Sequence, residues 1–147
     1  MPSLKATLRI AIDAMLEDAV DIGSVAHQVA YTPNIALSNG TGLNQANQMF
    51  SDQRTLAASA NESLDLAGTL LNAFGNTITF TKIRAILIRA AVANTNNVLV
   101  GGAASNGWVT WCGAATDTIV VRPGGFMLLA APDATGYIVT AATGDLL

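Results

Sequence analysis

The sequence is poor in the residues that carry chemistry. It holds one histidine and one cysteine in 147 residues. A structural zinc site takes about four Cys or His ligands, so no metal or other cofactor is expected. Cys112 has no second cysteine to pair with, which rules out an intrachain disulfide. It reads as a small buried hydrophobe. A Ser-His-Asp triad would have to run through His27, and no Gly-x-Ser-x-Gly elbow accompanies it. Set in Val25-Ala26-His27-Gln28-Val29, that histidine reads as an ordinary loop or strand residue. No enzyme is expected.

Charge is scarce as well. Asp, Glu, Lys and Arg make up 12% of the chain, about half of the usual share of roughly 25%. Lys5, Arg9, Arg54, Lys82, Arg84, Arg89 and Arg122 are scattered, and only Lys82, Arg84 and Arg89 stand close together. A nucleic-acid binder would show a basic stripe interleaved with aromatics, so direct nucleic-acid contact is not expected. Long apolar runs are missing too. The uncharged stretch over residues 90–116 is broken by Asn94, Asn96, Asn97, Gly101, Gly102 and Asn106, so it does not read as a membrane span. Lys5, Arg9 and Asp13 interrupt any apolar leader near the N-terminus, and no secretory signal is expected. Folding in a reduced compartment fits the cysteine usage.

What remains is mild and apolar. Hydrophobic residues reach 51% with only 5% aromatics, and the mean hydropathy is +0.43. The net charge is −3. A single domain of this length buries roughly 68–70% of its unfolded surface without a staple. It has little charge left to cover its outside, which a surface shared with neighbouring subunits would resolve.

The few suggestive clusters have plain explanations. Glu17, Asp18 and Asp21 lack the spacing of a calcium loop and read as a solvated acidic turn. Asp117 and Asp133 sit beside turns, where Asp supports the backbone. Gly40-Thr41-Gly42 lacks the Gly-Lys-Ser/Thr ending of a phosphate loop. The sequons at Asn39 and Asn61 are idle without a leader.

Periodicity points to an all-β fold, a β-sandwich or barrel, with a long N-terminal arm or loop. Residues 4–21 fit both a strand and a helical face, and the strand is preferred: Leu8, Ile10 and Ile12 alternate with Thr7, Arg9 and Asp13. Residues 22–51 carry no Lys, Arg, Asp or Glu and many turn formers, so they read as an extended arm or loop. Such an arm is a natural contact element, and Tyr31, Asn34, Asn44, Gln45, Met49 and Phe50 are its candidate contact residues. From residue 63 onward, strand candidates recur roughly every 8–12 residues: 63–67, 77–81, 83–88, 98–100, 108–112, 118–122, 126–130 and 137–141. Pro123-Gly124-Gly125 and residues 132–136 are strong turn signals between them. The expected division is one domain over 1–147, with a strand and arm over 1–62 and a sandwich core over 63–147. Trp108 and Trp111 differ in strand parity, so one is expected in the core and the other exposed for a partner or a sugar. Core or subunit interface is preferred over the carbohydrate contact of an adsorption module.

Several short motifs, taken in order, resemble a type of small tailed-bacteriophage virion protein. They run from Asn39-Gly40-Thr41-Gly42-Leu43-Asn44-Gln45-Ala46 and Phe50-Ser51-Asp52-Gln53-Arg54-Thr55-Leu56 through Leu64-Asp65-Leu66-Ala67-Gly68, Phe74-Gly75 and Phe80-Thr81-Lys82-Ile83. They continue in Val121-Arg122-Pro123-Gly124-Gly125 and Ala131-Pro132-Asp133-Ala134-Thr135-Gly136-Tyr137. The resemblance covers residues 39–147. It implies a decoration or cement protein with a jelly-roll-like sandwich, made in the host cytoplasm and added to the outside of a capsid. Its implied partners are the major capsid protein and further copies of itself, as dimer or trimer. Similar chains continue past the equivalent of Gly144-Asp145-Leu146 into another hairpin, so a closing strand is expected from a partner chain, or else an open edge.

Overall fold

A computed structural model describes residues 3–147; Met1 and Pro2 lie outside the described residues. The fold is all-β, and none of the described residues is helical. In the first third, β1 (Ala6–Arg9), β2 (Ile12–Ala19), β3 (Ser24–Tyr31) and β4 (Asn34–Asn39) are followed by the short β5 (Gln45–Ala46). The body contains β6 (Lys82–Ile83), β7 (Ala85–Arg89), β8 (Val98–Gly101), β9 (Thr118–Val121), β10 (Phe126–Ala130) and β11 (Tyr137–Ile138). These form small sheets ordered β1-β4-β5, β2-β3, β7-β10, β6-β11 and β8-β9.

The strand reading of residues 4–21 agrees with the structure. Residues 24–39, expected as arm or loop, are instead strands β3 and β4. Uncharged alternation in Val25, Val29 and Tyr31 carries the β propensity, and the turn formers fall at the joints. The four strands make one long hairpin. Ala6 faces Leu37, Arg9 faces Asn34, Ile12 faces Tyr31 and Ala19 faces Ser24. Every one of these pairs is centred on the Asp21–Ile22 bond, so a single register runs from base to tip. At about 3.4 Å per residue, the fourteen positions from Ala6 to Ala19 span roughly 45 Å. The ladder lapses only beside Pro33, which has no N–H to give; Ile10 still donates to the Pro33 carbonyl at 3.2 Å.

The body packs around two apolar groups. Leu66, Leu70, Ile78, Ile83, Trp108 and Val139 form one, and Ala90, Val100, Val121 and Met127 form the other. Ile86, Trp111 and Leu147 touch both and join them. Residues 145–147 are held on two flanks. Leu64 and Leu147 exchange backbone hydrogen bonds, Leu66 donates to the Asp145 carbonyl, and Trp108 donates to that of Leu146.

Three expected strands are not regular strands, each for a local reason. At 63–67 the Asp65 carboxylate accepts the Ala67 N–H at 3.0 Å, turning the chain after a single bridge to Leu146. Residues 77–81 do alternate, with Ile78 and Phe80 inward. Their backbone donates to Leu70 and Leu66, four residues apart across a turn, so no even ladder forms. At 108–112 the Cys112 N–H donates to the Val109 carbonyl, closing a turn. Over 137–141 only Tyr137 and Ile138 pair as a strand, because Thr140 and Gly144 close a tight turn.

Ile78 is only 2% exposed, whereas Leu16 on β2 is 73% exposed. Ile78→Ala should therefore cost about 2–5 kcal/mol of stability and Leu16→Ala less than about 0.5 kcal/mol, read from the urea midpoints of the purified chain.

Candidate functional site

Facing residues of an antiparallel pair lie on the same side of the sheet. Register alone therefore sorts the hairpin into two faces. One carries Leu8, Ile12, Ala14 and Leu16 opposite Ile35, Tyr31, Val29 and His27, with Asp18 opposite Val25 near the tip. The other carries Thr7, Arg9, Asp13, Met15 and Glu17 opposite Ala36, Asn34, Ala30, Gln28 and Ala26. The first face is apolar along nearly its whole length and the second is polar.

At the base the apolar face meets the body. Leu37 there is 6% exposed, and Leu8 and Ile35 are half-buried. Beyond Pro33 none of the described residues covers it: every residue of β2 and β3 is exposed. Ile12, Leu16, Val25, Val29 and Tyr31 thus form an uncovered apolar strip continuous with a buried one. At the tip Ile22 is 95% exposed. An isolated two-stranded ribbon is marginal in water, and a contiguous apolar strip of this kind marks an interaction surface.

The hairpin's base is clamped to the body. Arg84, 6% exposed, donates through Nη2 to the carbonyls of Thr41 (2.8 Å), Gly42 (2.9 Å) and Ala134 (3.0 Å). Asn44, at φ 53°, donates its N–H to the Pro132 carbonyl at 2.8 Å and accepts from Ser38. The Gln45 amide oxygen accepts the Gly42 N–H at 2.8 Å. A Cβ at Gly40, where φ is 144°, would run into the Gln45 amide. The loop between β4 and β5 is thereby pinned to the 132–136 turn. That turn is itself braced by Asp133, whose Oδ1 accepts from Thr135 and Gly136. Asp117 braces a second turn by accepting from Gly113 and Ala114.

The candidate contact residues therefore separate. Tyr31 stands on the exposed apolar face, Asn34 on the polar one, and Met49 is exposed beyond β5. Asn44 and Gln45 serve the clamp, and Phe50 packs against the first core group. Both tryptophans belong inside, contrary to the parity expectation. Trp108 is 2% exposed, and Trp111 packs against the same core and donates Nε1–H to the Trp108 carbonyl at 2.7 Å. The turn at 109–112 folds Trp111 back beside Trp108, so strand parity does not apply. Their rings are tilted at 43°, and Tyr137 meets Trp108 edge-on at 87°; they build no flat platform for a sugar ring. Cys112 lies in that turn and is half-buried, not core, with its thiol against the carbonyls of Val109 and Ala114. The signal missed in the sequence was the pairing of Ile12, Leu16, Val25 and Val29, which only the register brings together.

A recess beside Phe50, Arg54, Glu62 and Leu70 offers no reactive pair, because Arg54 is engaged by Asp52 at 3.0 Å and Glu62 at 2.8 Å. Among the described residues no group of three or more His, Cys, Asp or Glu side chains is placed to hold a metal ion.

Two outcomes follow from the clamp. Arg84→Met keeps the apolar stem but strands the Thr41 and Gly42 carbonyls, while Ala134 keeps its bond from Lys82; it should cost about 2–3 kcal/mol in chemical unfolding. The N–H groups of Gly136 and Thr135 hold the Asp133 carboxyl below its usual 3.8. A carboxyl depressed in the folded state contributes stability that is fully present above pH 3.8 and lost as pH falls through its lower folded value. A carboxyl NMR titration should place the Asp133 midpoint below 3.8, and Asp133→Ala should remove that part of the acid dependence.

No family model, curated protein or solved structure matches the chain.

Proposed function

We propose that the chain is a non-enzymatic structural protein that works by docking, of the capsid decoration or cement type. In this reading it is made in the host cytoplasm and sits on the outside of a tailed-phage capsid, against the major capsid protein. The observation that carries the docking role is the apolar face of β2 and β3, uncovered over its whole length yet continuous with the buried base at Leu37. The virion setting comes from the resemblance over residues 39–147 and from the low charge of the chain. A cement works by burying area across joints between shell subunits. Each contact is small, and repetition around the shell strengthens the whole through multivalency. A jelly-roll-like sandwich for the body belongs to the same proposal, as do dimeric or trimeric copies.

The hairpin projects as a self-contained ribbon, so it can be shortened without touching the clamp. Joining Ala11 to Thr32 through a two-residue Asn-Gly turn removes β2 and β3 and leaves Arg84 with its carbonyl partners. This variant should fold and fail to bind heads. Deletion of residues 23–50, by contrast, would strand β2 and destroy the clamp.

Quantitative mass spectrometry of purified virions tests the setting. A copy number equal to that of the major capsid protein, or a simple fraction of it, supports a decoration protein. A few copies per particle would move the chain to a tail, baseplate or head fibre, and absence from virions would end the virion reading.

A further inference from the structure

The free edge of β1 and β2 is a second surface, distinct from the apolar face. In each sheet these strands have a partner on one side only. Ile10 and Val20 send their N–H groups inward, to Pro33 and Gly23. Strand parity then points the N–H and C=O groups of residues 5, 7, 9, 11, 13, 15 and 17 outward. No hydrogen bond from another described residue reaches them. A long, unpaired strand edge is a template for another strand.

The charges along this edge follow a pattern. Lys5, Arg9, Asp13 and Glu17 recur every fourth position on the polar face, in the order plus, plus, minus, minus. They are arranged symmetrically about Ala11, and all four are exposed. We infer that this edge pairs with the same edge of a second copy, antiparallel, about a two-fold axis through Ala11. Arg9 then faces Asp13 of the other copy and Lys5 faces Glu17, each pair formed twice by symmetry. On the apolar side Ile10 faces Ile12 and Leu8 faces Ala14. The outward-pointing groups of residues 5–17 exchange backbone hydrogen bonds with their counterparts.

Register selects this arrangement. Sliding the copies by four positions one way sets Asp13 against Asp13, and sliding them the other way sets Arg9 against Arg9. Intermediate slips of two leave all four charges opposite uncharged residues. Each slip of four keeps two opposite pairs, Arg9 with Glu17 or Lys5 with Asp13, against its one like pair. The two-fold about Ala11 has four opposite pairs and no like one, so the pattern favours this register. Exposed ion pairs add little strength; here their role is to choose the alignment, while the backbone bonds hold it. The β3 edge has no Asp, Glu, Lys or Arg and encodes no such choice. A parallel arrangement about a three-fold axis would place like charges level with one another.

The product is a four-stranded ribbon in which β2 of each copy lies beside β1 of the other, so that the order on either side of the axis is β3-β2-β1-β4. Its two bodies lie at opposite ends. Self-pairing does not depend on the virion setting, and its failure would leave a copy-number result unaffected.

The test uses charge reversal in the full chain, followed by mass-resolved size exclusion and sedimentation equilibrium, with circular dichroism checking the fold. The wild-type chain should run as a dimer. R9D alone and D13R alone each set like charges opposite one another twice, and each should weaken the dimer roughly tenfold or more. R9D/D13R restores opposite charges across the axis and should return dimerisation to within about threefold of wild type. A wild-type chain that is monomeric or trimeric at high concentration overturns the inference. So does a double variant as weak as the singles, or single variants that dimerise like wild type.

Discussion

Side chains of a β-ladder alternate between two faces, and they keep to those faces as long as the register holds. That constraint governs this molecule. The first strand enters at the base with Ala6 opposite the buried Leu37 and Leu8 opposite the half-buried Ile35. Because every pair from Ala6 to Ala19 shares one centre, Ile12, Leu16, Val25 and Val29 must stay on the same face after the body has ended. A bulge in one strand would have reversed the faces beyond it. Pro33 removes a donor without inserting a residue, so the apolar face runs on into solvent. Exposure of these side chains is therefore a consequence of the register set at the base, and the proposed partner would cover them.

The rest of the fold anchors the ribbon. A buried guanidinium at Arg84 gathers carbonyls from the β4–β5 loop and from the 132–136 turn. Asp133 and Asn44 brace the same junction from either side. Residues 145–147 lie between the 64–66 and 106–108 segments, and Leu147 touches both core groups. The body thus anchors the ribbon, and the ribbon is the part proposed for recognition.

The all-β class was legible in the sequence, as were β7, an apolar run rich in Ile, and β8, β9 and β10, short β-rich runs with Gly, Pro or Asn close by. The turn at Pro123-Gly124-Gly125 was legible for the same reason; Gly125 donates to the Arg122 carbonyl and Gly124 has φ 77°. Segments whose shape depends on distant partners were not. Ser63-Leu64-Asp65-Leu66-Ala67 alternates like a strand, but the Asp65 side chain turns it. Trp108 and Trp111 have strand-like spacing, yet a turn brings them together. Residues 24–39 looked like an arm because they lack charge, and they pair only because residues 6–19 lie alongside. The docking face was invisible for a related reason: neither strand is strongly apolar alone, and the face exists only once Leu16 stands beside His27, and Ala14 beside Val29.

The central claim is that the apolar face of β2 and β3 is covered when the protein does its work. Backbone hydrogen exchange, measured residue by residue in the free chain and in the assembled particle, addresses it most directly. The account predicts that amides of residues 12–31 exchange fast in the dilute free chain and become strongly protected in the assembly, while those of β7 and β10 change little. Equal exchange over 12–31 in both states would contradict it.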